Sequence, residues 1–65
     1  MTVKIHKLKK DGERYESHTT IGRVTKLEEI ENTLHIHTYF SDKGIHEPMK
    51  YDLEKYGIDV FVGDF

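Results

Sequence analysis

Residues 23–40, RVTKLEEIENTLHIHTYF, decide the fold. Arg23–Ile30 and Leu34–Phe40 are two runs rich in β-branched and aromatic residues around a polar break, the pattern of a hairpin. A two-residue loop at Asn32-Thr33 would set Leu34 and Ile36 opposite Glu31 and Glu29. A three-residue loop, Glu31-Asn32-Thr33, pairs Ile30 with Leu34 and Val24 with Phe40. Register follows the apolar pattern, so the longer loop is predicted. One face then carries Val24, Ile30, Leu34, Ile36 and Phe40, with Lys26, Glu28 and Thr38 as polar exceptions. The other carries Thr25, Leu27, Glu29, His35, His37 and Tyr39.

The flanking sequence continues in strands. Thr2–Lys9 alternates Val3 and Ile5 against Lys4 and His6, and Arg14–Thr20 is a polar return strand. Asp11-Gly12 between them suits a type I′ turn. Gly22 marks a bulge or bend in an extended run. Ser41–Gly44 reads as a turn and Pro48–Leu53 as a strand that opens on a proline; Gly63, like the other glycines, reads as a turn or bulge residue. A helix over Tyr51–Tyr56 is limited to one turn ending at Gly57. Ile58–Val62 is the last strand, and its core, Val60-Phe61-Val62, is apolar on both faces, which predicts a central strand or pairing between molecules rather than a bare edge.

Composition agrees. Four Val, six Ile, six Thr and seven aromatics give 23 β-favouring residues of 65, and Ala and Gln are absent. The expected fold is all-β: one domain over residues 1–65, a meander of five or six antiparallel strands in an SH3-like or OB-like barrel. The alternative is a curved open sheet completed by dimerisation, since so small a chain gains stability from a second copy.

Charge narrows the function classes. The net charge is −2, with +4 over residues 1–10 (Lys4, Lys7, Lys9, Lys10) and −6 over the rest. Lysines on a short strand protect a sheet edge. They also allow a weaker reading, oligonucleotide binding, which the acidic Glu28, Glu29 and Glu31 oppose. With no Cys, two Ser and no phosphate-cradling glycine loop, a catalyst is not expected. No apolar run long enough for a membrane span or a signal peptide is present, and cytoplasmic residence is expected.

Two constellations remain. His35 and His37 alternate on one strand, so their rings project from one face about 6–7 Å apart and could converge on Zn²⁺. The predicted register sets Glu29 opposite His35 as a third ligand or an orienting carboxylate. Ordinary cross-strand pairing accounts for the same residues. Leu27, Tyr39 and Phe61 are apolar residues on otherwise polar faces, and together they would form a contact patch. The principal expectation is a non-catalytic protein–protein interaction module that can pair with itself as a homodimer. The alternative is a small metal-binding protein.

Overall fold

The computed structural model describes residues 1–62 and is all-β. Six strands run in chain order: β1 (Thr2–Leu8), β2 (Arg14–Ile21), β3 (Val24–Ile30), β4 (Thr33–Thr38), β5 (Met49–Asp52) and β6 (Tyr56–Phe61). One helical turn, α1 (Tyr39–Asp42), separates β4 from β5. The strands form two antiparallel three-stranded sheets, ordered β2-β1-β6 (sheet A) and β3-β4-β5 (sheet B). Both sheets are open rather than closed into a barrel. Gly63 lies outside the described residues.

The sheets share one core. Val3, Ile5 and Ile21 from sheet A meet Val24, Leu34 and Ile36 from sheet B, with Val3 and Ile36 fully buried. Strand alternation explains the set, because Val3 and Ile5 lie two apart on β1 and Leu34 and Ile36 two apart on β4. The chain passes from sheet A to sheet B at Gly22-Arg23, where Arg23 takes the strained φ of 55°. Reciprocal backbone hydrogen bonds between Met1 and Val24 close this corner.

The two hairpins exchange the loops expected of them. Between β1 and β2, Lys9 donates to Glu13 and Gly12 donates back to Lys9, leaving Lys10, Asp11 and Gly12 as a three-residue loop with Gly12 at φ 86°. Between β3 and β4, Ile30 pairs with Thr33, and Glu31 and Asn32 form the two-residue loop at φ 49° and 61°. Two positive φ values in succession suit the right-handed strand twist. The predicted three-residue loop at 31–33 is therefore corrected to two residues.

This tight turn, with one bulge, rearranges both faces. The ladder pairs Leu27 with Ile36, Glu28 with His35 and Glu29 with Leu34, and its register shifts between Val24 and Lys26. The extra residue, Thr25, changes the parity of β3, so Val24 and Leu27 both turn toward the core. Leu27 is half-buried against the core, whereas Ile30, expected inside, is 47% exposed. Tyr39 and Phe40, expected to continue the strand, begin α1 instead.

β6 lies at an edge of sheet A, not at its centre. Within β4 to β6, residues 53–55 make a turn in which Lys55 donates to the Asp52 carbonyl, and no helix forms over 51–56. No helix among the described residues is long and apolar enough to cross a membrane.

Candidate functional site

The most developed exposed feature is the turn around α1. Thr38 begins it as an N-cap: its hydroxyl accepts from the Ser41 amide at 3.2 Å, and Ser41 Oγ accepts from the Thr38 amide at 2.8 Å. This reciprocal box satisfies two amides that a helix start otherwise leaves open. Gly44, at φ 76°, ends it. Gly44 donates to the Ser41 carbonyl and Ile45 to the Phe40 carbonyl, each at 3.0 Å, the two bonds of a Schellman ending. That ending brings the residue after the glycine back toward Phe40.

The result is an apolar group held outside the core. Tyr39, Phe40 and Ile45 are 47%, 39% and 68% exposed. The rings of Tyr39 and Phe40 meet edge to face, 5.5 Å apart. Arg23 stands 5.9 Å from the Phe40 ring centre, Lys43 stands 5.4 Å from that of Tyr39, and His46 approaches Phe40 at 6.2 Å. Cations over ring faces interact with the negative side of the aromatic quadrupole. Asp42, the nearby acid on α1, is engaged by the Thr25 hydroxyl at 2.7 Å.

The three residues expected to form one patch do not share a surface. Leu27 lies on the inner face of sheet B, Tyr39 on α1, and Phe61 on the outer face of sheet A, opposite Thr2. Phe61 lines a shallow cleft of about 220 Å³ with Thr2, Lys4 and Thr20, and Lys4 lies over its ring at 5.2 Å. Tyr39 alone of the three joins the aromatic group described above. Phe40 and Ile45 were not singled out by the sequence reading. Thr38 followed three residues on by Ser41, then Gly44, was the available signal.

The His-x-His strand lies on the outer face of sheet B. His35 stands between Glu28 and Lys50, and His37 is paired with Lys26. The carboxylate opposite His35 is Glu28, not Glu29, which the corrected register moves to the opposite face. Glu28 lies 3.5 Å from His37 Nε2 and 3.6 Å from Lys26 Nζ, yet the contact is not a hydrogen bond, and His37 Nε2 is buried with no partner in one. Lys26 and Lys50 flank the imidazoles, and their charge repels a divalent cation. Among the described residues, no three His, Asp or Glu side chains are grouped to hold a metal ion.

The outer face of sheet A holds a second polar group. Arg14 of β2 pairs with Asp59 of β6 and also reaches the Ile58 carbonyl at 3.3 Å. His6 of β1 places Nε2 3.1 Å from Asp59 and Nδ1 2.9 Å from the Tyr15 carbonyl. Both partners are acceptors, so both contacts are hydrogen bonds at once only when the ring carries two protons. The Asp59 carboxyl is held below its ordinary 3.8, first by the Arg14 hydrogen bond, which outweighs an upward push from desolvation, and further by the charges of Arg14 and His6. His18 stacks at a tilt on His6, with ring centres 5.3 Å apart.

Comparison with protein-family models, curated proteins and solved structures finds no match for this chain.

Proposed function

We propose that this chain is a non-catalytic protein–protein interaction module, and that α1 carries its main contact surface. The observation behind this reading is the exposure of Tyr39, Phe40 and Ile45 as one group, with Arg23 and Lys43 over the rings. Aromatic residues and arginine are the side chains most enriched at the energetic centre of protein interfaces. Both caps of α1 fix its backbone before any partner arrives, which lowers the ordering cost of association. The cationic rim favours a partner surface that places acidic side chains around an apolar ridge.

The clefts support a non-catalytic role. The second, lined by Ile5, Lys7, Ser17, His18, Thr19 and Tyr56, has a volume of about 260 Å³. Small-molecule sites usually enclose roughly 300–1,000 Å³ and bury most of the ligand. Both clefts here are open to solvent.

Photo-crosslinking tests the reading. A benzophenone amino acid at position 39 is expected to form a discrete adduct in cells, and Arg23→Glu is expected to abolish it. The same probe at the exposed Glu16 on β2 serves as control. Equal labelling from both positions, or no adduct at position 39, would sink the assignment.

A further inference from the structure

We infer that β6 is completed by the β6 of a second copy of this chain, antiparallel and centred on Val60. The inference builds on the interaction reading by naming one partner, but it uses a different surface.

The four sheet edges differ in kind. β2 is irregular against β1 between His6 and Leu8 and bears Arg14, Glu16 and His18. β3 is bulged between Val24 and Lys26 and bears Lys26, Glu28 and Glu29. β5 has four residues, follows Pro48 and carries Lys50 and Asp52. Bulges, charges, shortness and proline are the usual devices that keep an edge from pairing. β6 carries fewer of these devices, the one being Arg14, which reaches its Ile58 carbonyl at 3.3 Å. It pairs with β1 in unbroken register from Thr2 to Lys7, and its one charged residue, Asp59, is engaged by Arg14 and His6.

Burial also stops abruptly at this edge. Ile21, Val3 and Val60 form one row across sheet A, and they are 7%, 0% and 44% exposed. Val62, next on the same face, is 92% exposed. Among the described residues, no strand pairs with the far side of β6.

The side chains favour a second copy as the occupant. In an antiparallel pair across a two-fold axis, a residue faces its own copy at the centre. Centring on Asp59 would oppose two carboxylates, which is destabilising. Centring on Val60 sets Val60 against Val60, Ile58 against Val62 and Asp59 against Phe61. On the outer face each Asp59 then stands beside the other copy's Phe61, while its charge stays engaged by Arg14 and His6 of its own copy. The product is a continuous six-stranded sheet with its apolar row extended through both copies.

Cysteine scanning tests the register, since the chain has no Cys of its own. Facing residues in an antiparallel pair have Cα atoms about 4.5–5.5 Å apart, within disulfide range. Val60→Cys is therefore expected to oxidise to a linked dimer. Val62→Cys, about 13 Å from its copy in this register, is not. Size-exclusion chromatography with light scattering is expected to give a dimer for the wild-type chain and a folded monomer for Val60→Lys, with Val62→Lys as a second variant at a fully exposed position. A wild-type chain monomeric at every concentration would overturn the inference and leave the α1 reading standing. A dimer that survives Val60→Lys but is lost in Tyr39→Lys would overturn it and move self-association to α1.

Discussion

Arg14 and Asp59 stand on opposite edge strands of sheet A and form an ion pair across the strand between them. The reach depends on an absence. A Cβ on Gly57 would lie 2.7 Å from Arg14 Nε, so the guanidinium passes where a side chain would otherwise stand. This tie links the two outer strands without any ladder bond between them.

The tie predicts acid sensitivity. Asp59 has a lower pKa folded than its ordinary value, so it stabilises the fold fully above the ordinary carboxylate range. The contribution is lost as pH falls through the folded-state value. Arg14→Met is expected to raise the Asp59 titration midpoint, read by carboxyl NMR, and to flatten the acid limb of a stability–pH profile. Gly57→Ala is expected to do the same by displacing Arg14. An unchanged Asp59 midpoint in both variants would show that the pair has no effect in solution.

The β3–β4 loop carries avoidable strain. Glu31 sits at φ 49°, a left-handed conformation that costs a residue with a Cβ about 1–2 kcal/mol. Replacing Glu31-Asn32 by Asn-Gly, the preferred pair for a type I′ turn, should stabilise the domain by about 1 kcal/mol in urea unfolding. A loss of stability would mean the loop is not of this type.

Gly44 is expected to be intolerant. Its φ of 76° belongs to the ending that turns Ile45 back toward Phe40. Gly44→Ala should cost about 1 kcal/mol and speed amide exchange at Gly44 and Ile45. Unchanged protection at both amides would refute the cap.

Ile36 tests how little margin the core has. It is fully buried at the centre of the shared cluster. At roughly 0.05–0.15 kcal/mol per residue, a chain of 65 residues has about 3–10 kcal/mol of stability. Ile36→Ala costs about 2–5 kcal/mol and should leave much of the population unfolded, while Ile36→Val, at about 1 kcal/mol, should stay folded. Circular dichroism at room temperature separates the two outcomes.

The all-β class was readable because β-branched and aromatic residues dominate a chain without Ala. The strand positions were also readable, most of them to within a residue or two. Register was not. It hinged on the loop, two residues rather than three, and on Thr25, one extra residue in β3 that lets Val24 and Leu27 share a face. Asp11-Gly12 looked like the tight turn, and Glu31-Asn32 takes that role in a register that sets the apolar Leu27 against Ile36. The exposed aromatic group at α1 was half legible. Tyr39 was picked out, but strand propensity hid the helix start at Thr38 that groups it with Phe40 and Ile45. The two imidazoles were placed on one face correctly, but their lysine neighbours come from other strands.

Leu34, Ile36, Thr38 and Phe40 occupy alternate positions, and a strand continued past Thr38 would have delivered the Phe40 ring to the interior. Thr38, only 2% exposed, breaks the series two residues early through its capping hydroxyl. A single concealed oxygen thus sorts an aromatic ring between inside and outside. The contact surface proposed at this corner can consequently be altered by a substitution that no partner would ever touch.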